Sequence, residues 1–429
     1  MDEEQVPPSH EEWRGRFSER HANPMRPLAR MLVAEHEILR RVRTSALRMH
    51  EMTPHKMIEQ LLTDEGMDSS VAIDGILALG AEAIAALVAA LKEGRGVPQL
   101  TALLSALPLT DPVRDLAPLL ADGDEVRNAA LRALGDSGDP GALPILVAAL
   151  PTSRFVASEA LGNLGRTEAR VPLLGLVAEY VGSDGSMLPT GDLLTWEYSC
   201  MDLRVVAKVA AAMAKLGDET LAPVAIRLAT LRHPGEIEDA NLVRAAAAAA
   251  LRYVTAPGVA SALHAAALDR DADAARAALL GTLYLGRPDE VEVWLKRIAK
   301  GGVVGREALS CLESWSGSTF AGDRPVRGED VRRWWLAEAG RYPPGTCFRS
   351  GRPTDIGELV RRLTQEGEDL RFELRIRTGA ACFHDGLSGY PPSPREITAI
   401  DDWWQSHAGD FPLGKLHRWG RSFDPTVVS

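Results

Sequence analysis

Aromatic side chains are scarce in this chain, 5% of 429 residues, and only four cysteines occur. Few aromatics beside abundant alanine and leucine argue against a sheet-rich fold and for helices. The cysteines (Cys200, Cys311, Cys347 and Cys382) are too scattered for a disulfide framework and suit a reducing compartment. No run approaches the 20 or so apolar residues of a membrane span, so none is expected. The opening MDEEQVPPSHEEW is acidic without an apolar core; it does not read as a secretory signal, and the cytoplasm is the expected location. The nucleophile elbow, the phosphate-binding P-loop, HExxH and CxxC are all missing. Cys347, Cys382, His384, His407 and His417 fit no zinc-finger spacing, so neither a metal nor a cofactor is expected. Asp401-Asp402 reads as charge at a helix N-terminus rather than as a catalytic pair.

The net charge of −11 is unevenly spread. Residues 24–50 carry +4, residues 331–429 carry +1 and residues 1–23 carry −3, which leaves −13 for residues 51–330. An acidic body repels nucleic-acid phosphates and favours basic partners, so nucleic acid is not expected and a protein partner with a basic surface is.

Apolar periodicity organises that body. In DEVRNAALRALGDSGDPGALPILVAAL, starting at Asp124, Val126, Ala129, Ala130, Leu131 and Leu134 recur at helical spacing. Gly135 is read as closing this helix, GDP as the turn, and Ala142–Leu150 as a second helix. A similar unit follows, with Leu164-Gly165 standing 30 residues after Leu134-Gly135, and weaker copies extend on both sides. Short helix pairs of this kind bury their apolar stripes only by stacking on one another. The pattern resembles HEAT repeats, particularly the short bacterial variety shared with phycobilin-lyase-like repeat proteins. That resemblance covers roughly residues 60–315 and implies an α-solenoid whose surface holds another macromolecule.

The C-terminal part says one thing twice. Trp403-Trp404 follows Trp334-Trp335 by 69 residues, and the same offset relates Tyr342 to Phe411, Arg349 to Arg418, Gly351 to Gly420 and Arg352 to Arg421. Before each tryptophan pair stand a glycine and a phenylalanine, Gly317 with Phe320 and Gly379 with Phe383. These segments resemble C-terminal motifs of a family of bacterial HEAT-repeat proteins, a resemblance that supplies no function. Gly317, Phe320, Trp334, Trp335, Gly379, Phe383, Trp403 and Trp404 are therefore read as structural, in a tandem unit that caps the solenoid. The alternative is an aromatic platform assisted by Arg349, Arg352, Arg418 and Arg421.

The expected architecture is all-α: an N-terminal helical segment (1–58), a HEAT-like solenoid (59–316), and a C-terminal tandem of modified helical units with turn-rich loops (317–429). The polar insertion at 181–202 interrupts the repeats and supplies candidate partner-binding residues, Trp196, Glu197, Tyr198 and Asp202. With no catalytic motif in sight, the expected function is a non-enzymatic scaffold or adaptor in a bacterial cytoplasmic assembly, a secretion-system accessory being one setting. A solenoid-type enzyme, DNA-glycosylase-like or bilin-lyase-like, is the alternative.

Overall fold

A computed structural model describes residues 53–63, 69–181, 200–231, 238–320, 326–343, 346–353, 355–383, 392–412 and 416–423. Of the expected N-terminal helical segment (1–58), residues 1–52 lie outside these residues. Three helices open the described chain: α1 (Pro54–Thr63), α2 (Ser69–Leu79) and α3 (Ile84–Lys92). Thirteen more then alternate between two rows. One row comprises α4 (Val97–Ala106), α6 (Asp124–Asp136), α8 (Arg154–Leu164), α10 (Cys200–Lys215), α12 (Glu238–Ala250), α14 (Ala272–Leu285) and α16 (Gly302–Ser316), each packed on the next. The other comprises α5 (Pro112–Leu116), α7 (Ala142–Ala149), α9 (Arg170–Val177), α11 (Ala222–Ala229), α13 (Val259–Ala267) and α15 (Val291–Lys300). The chain is an all-α solenoid of HEAT-like helix pairs.

One hydrophobic core runs the length of this array, from Met57 to Trp315 and beyond. It exists because every helix of the first row buries apolar residues towards both its neighbours; Val126, Ala129, Ala130, Leu131 and Leu134 of α6 are all buried. Helix α6 does not end at Gly135, as the sequence suggested, but runs through Asp136, and the left-handed residue is Gly138 (φ +69°). Gly135 serves a different purpose. A Cβ there would lie 2.6 Å from Ala160 Cα and 2.7 Å from Ala160 O, so the missing side chain lets α6 and α8 approach closely. Gly135→Ala is therefore expected to destabilise by about 1–2 kcal/mol, overpacking outweighing the helix-propensity gain. Urea unfolding tests this, because an unconstrained helical glycine would show stabilisation instead.

The run Val71–Lys92 corrects the expectation that no stretch nears membrane-spanning length. Its 22 residues are long and apolar enough by composition, but half of the run is buried inside the fold, including Ile73, Ile76, Leu87 and Leu91.

The duplicated segments form two related units. In the first, α16 ends at Gly317 (φ +69°), Phe320 meets Trp334, and α17 (Gly328–Glu338) carries the tryptophan pair. A minimal hairpin follows, β1 (Phe348–Arg349) against β2 (Arg352–Pro353). After α18 (Ile356–Gln365), the second unit repeats the plan. Helix α19 (Arg371–Thr378) ends at Gly379 (φ +73°), Phe383 meets Trp403 on α20 (Pro394–His407), and β3 (Leu416–Arg418) pairs with β4 (Arg421–Phe423). Asp401 and Asp402 lie inside α20, not at its start. The helix begins with a capping box in which Ser393 accepts from Glu396 N and Glu396 accepts from Ser393 N.

Each hairpin turns on two residues with positive φ, Ser350-Gly351 (+52°, +72°) and Trp419-Gly420 (+49°, +75°), as a two-residue turn between twisted strands requires. The turn amides close the preceding helix. Ser350 N and Gly351 N donate to Ser314 O and Trp315 O; Trp419 N and Gly420 N donate to Ile376 O and Arg377 O. Carbonyls that a helix C-terminus leaves open are thereby satisfied.

The first unit packs at the α14–α16 end of the array, where Trp315 and Phe348 are buried and Phe348 N donates to Gly286 O. The second has a small core of its own around Leu359, Leu363, Leu374, Phe383 and Ile400, and lies back along the first row. It meets the C-terminal ends of those helices largely through arginines. Arg375 pairs with Asp136 at 2.6 Å, Arg418 donates to Leu251 O at 3.0 Å and to Val254 O, and Arg421 donates to Tyr253 O and Glu219, each at 3.1 Å. Helix C-termini carry the negative end of the helix dipole, and the body is acidic, so arginine is the suited docking residue.

Candidate functional site

Between the second unit and the first row lies a cavity of about 400 Å³. Its walls bring together residues far apart in sequence: Arg132 and Asp136 from α6, Glu159 and Asn163 from α8, Lys215 from the end of α10, Tyr253, Arg375 from α19, and Trp419 from the second hairpin turn. The first row supplies most of the polar groups because α6, α8 and α10 lie side by side there.

Trp419 organises the wall. Its ring stands edge-on to Tyr253 with centroids 5.4 Å apart. Lys215 Nζ lies 4.4 Å from the Trp419 ring and 4.3 Å from the Tyr253 ring, and Arg375 lies 5.2 Å from Trp419 on its own side. Beneath them runs a chain of hydrogen bonds: Lys215 Nζ donates to Asn163 Oδ1 at 2.6 Å, and Asn163 Nδ2 donates to Asp136 Oδ1 at 3.0 Å, the oxygen that also receives Arg375. A bulky residue at φ +49° is a backbone outlier, costing on the order of 1–2 kcal/mol. The turn could be made without it, since Ser350 occupies the same place in the first hairpin.

The wall holds three cations, Arg132, Lys215 and Arg375, against two carboxylates, so it favours an anion. Asp136 is engaged by Arg375 and Asn163. Burial pushes the Glu159 carboxyl up, but Lys208 at 3.5 Å, Lys215 and Arg132 together outweigh it and hold the group below the usual carboxylate range. Glu159 is thus held as a carboxylate and balances part of the wall's positive charge. Cation–π contacts on both ring faces keep the Lys215 ammonium in place. This arrangement can bind an anionic group.

Of the residues singled out in the sequence, Trp196, Glu197 and Tyr198 lie outside the described residues. Asp202 sits in the first turn of α10, beside Arg154 at 3.6 Å and bonded to the Tyr180 hydroxyl, away from the cavity walls. The tryptophan pairs form two similar ring clusters, Trp334 and Trp335 with Phe320 and Tyr342, Trp403 and Trp404 with Phe383 and Phe411. Only Phe383 among these motif residues reaches the cavity wall. Arg349, Arg418 and Arg421 bind protein groups rather than assembling a platform with the tryptophan pairs. Every polar residue of the cavity escaped the sequence reading. One signal was present: at the 69-residue offset the copies differ at Ser350 and Trp419, the position where the second unit has gained a ring.

Among the described residues no group of three or more metal-ligating side chains is gathered. A repeat family described as the PBS lyase HEAT-like repeat matches residues 126–150, which span most of α6 and all of α7. No curated protein matches the chain. A solved structure that it resembles is the complex of CpcE and CpcF of phycocyanin lyase from Nostoc sp. PCC7120, at 20% identity over 62% of this chain and 95% of that one, with a TM-score of 0.31. The family match corrects the expectation of a non-enzymatic chain, since the matched repeat takes its name from a lyase. The chain is a HEAT-like repeat protein, and its matched unit is of the PBS lyase HEAT-like kind.

Proposed function

We propose that the protein is a solenoid-type enzyme, bilin-lyase-like in kind, that holds an anionic ligand with a flat conjugated face in the cavity beneath Trp419. The observation that carries this reading is the convergence of Lys215, Arg375 and Tyr253 on Trp419 in the cavity wall, at the turn position that serine holds in the sister unit. Charged groups converging beside an aromatic ring in a cavity wall support a ligand site. In this reading Arg132 and Lys215 receive the ligand's carboxylate, and Trp419 and Tyr253 border its flat part. A DNA substrate fits less well, because the body carries −13 and the wall's cations are enclosed beside carboxylates.

Biliverdin, a flat tetrapyrrole bearing two carboxylates, is a suitable probe. Titration should quench tryptophan fluorescence and shift the bilin absorption band. Trp419→Ser, which copies the first hairpin, should weaken binding at least tenfold while leaving the fold intact by circular dichroism. Equal affinity in the variant, or no binding to the wild-type protein, would refute the reading.

A further inference from the structure

The second unit is held to the array differently along its length. At the start of α19 the contact is apolar: Phe372 meets Tyr284 of α14 with ring centroids 5.7 Å apart, and Ile376 belongs to the array's core. Glu373, between them, ties the same stretch to Arg349 of the first hairpin. The other fastenings are mostly ionic and of one polarity, the edge of Trp419 on Tyr253 being the exception. Arg375, Arg395, Arg418 and Arg421 come from the unit; Asp136, Asp74, Glu219 and the carbonyls of Leu251, Tyr253 and Val254 come from the array. One of them, Arg395 of α20 against Asp74 of α2 at 3.6 Å, leaves 57% of the arginine side chain open to solvent. Docking also leaves Arg375 Nη1 and Arg421 Nε buried without an acceptor among the described residues, a demand that water would meet if the unit lifted.

From this division we infer that the second unit is a reversible lid, hinged by apolar packing at α19 and clasped by arginines, which closes over Lys215 and which a ligand in the cavity holds shut. Its own core, around Leu359, Leu374 and Phe383, lets it stay folded when lifted. The cavity has walls on both bodies, with Arg132, Glu159 and Lys215 on the array and Arg375, Phe383 and Trp419 on the unit, so it is complete only when the unit is down. A ligand that needs both walls binds the closed state and shifts the equilibrium towards it. Partly exposed ion pairs are individually weak and are screened by salt, the Debye length falling from about 10 Å at about 0.1 M to about 3 Å at about 1 M. The clasp is therefore the part that opens. The ligand's share in closing rests on the proposed role of the cavity; the opening itself does not.

Lys215 reports on the lid, because it is buried between Tyr253 of the array and Trp419 of the unit. The full chain should be treated with N-hydroxysulfosuccinimide acetate and the acetylation rate of Lys215 read by mass spectrometry against that of Lys296, which is exposed on α15. The ratio is expected to rise at least fivefold between low salt and about 1 M NaCl, as screening opens the clasp. Arg395→Glu, which faces Asp74 outside the cavity wall, should raise it similarly at low salt and weaken biliverdin binding at least threefold, whereas Arg395→Lys should behave as wild type. Glu219→Gln, which weakens the hold on Arg421, should repeat both effects at a second contact, with circular dichroism confirming that each variant is folded. A ratio that neither salt nor either variant moves would overturn the lid and spare the proposed function if biliverdin still binds. A ratio that rises in both variants at unchanged biliverdin affinity would overturn the ligand's share in closing. If the ratio responds as expected and biliverdin does not bind the wild-type protein, the lid stands and the proposed function falls.

Discussion

Glu373→Ala is expected to cost about 3–5 kcal/mol of folding free energy. Glu373 is buried on α19, where it receives Arg377 Nε at 2.9 Å and Nη2 at 2.8 Å and stands 3.3 Å from Arg349 Nε of the first hairpin. One carboxylate thus joins the two C-terminal units and balances two guanidiniums, that of Arg377 fully enclosed. Removing it strands buried charge, which costs far more than losing a surface pair. Glu373→Gln keeps an acceptor for Arg377 and should lose less. Burial pushes the Glu373 carboxyl up, but Arg377 and Arg349 outweigh it and hold the group below its ordinary range. Because the folded-state pKa is depressed, this stabilisation is complete above the unfolded value of about 4.3 and disappears as pH falls through the folded value. Urea unfolding should therefore show the full gap between wild type and Glu373→Gln at pH 7, narrowing progressively below about pH 4. A gap independent of pH would mean that the charge contributes nothing.

The solenoid was legible because it is local. Periodic apolar residues, a turn and another periodic run specify a helix pair, and α6 and α7 follow that pattern to within a residue or two at their ends. Gly135 was misread for an equally physical reason. A glycine after leucine near a helix end looks like a cap, and only the position of α8 shows that its hydrogen is needed against Ala160. Ser393, Pro394 and Glu396 carried a capping box in plain view, while attention to Asp401-Asp402 put the start of α20 too late. The cavity was not legible, since it depends on where the second unit lies. Nothing local to Lys215 distinguishes it from any lysine at a helix end. Its neighbours Tyr253, Arg375 and Trp419 are 38 to 204 residues away, and the arginines that bring them there looked like candidates for a ligand platform. The doubled unit nevertheless contained the clue, because duplicated segments reveal function where they diverge.

The same duplication provides an internal comparison for the hairpin turns. Gly351 and Gly420 occupy equivalent places, both at positive φ, and both amides close a helix. A Cβ at Gly351 would lie 2.3 Å from Ser316 O, an unyielding backbone atom, whereas one at Gly420 would lie 3.2 Å from Thr378 O. Alanine at either position meets the left-handed penalty of about 1 kcal/mol. At Gly351 the clash adds to it: the turn must lift from α16, breaking the bonds to Ser314 O and Trp315 O and loosening Phe348 and Tyr342, which pack on Trp315. Gly351→Ala is expected to destabilise by about 3–5 kcal/mol and Gly420→Ala by about 1–2 kcal/mol. The two should also differ in kind. Gly351→Ala should lower the thermal midpoint with little change in bilin affinity per folded molecule, because its hairpin lies at the array's end. Gly420→Ala, which shifts Trp419 by a few tenths of an ångström, should weaken binding more than it weakens the fold. Reversal of that order, in denaturation and titration run side by side, would show that the second hairpin is only a structural copy of the first.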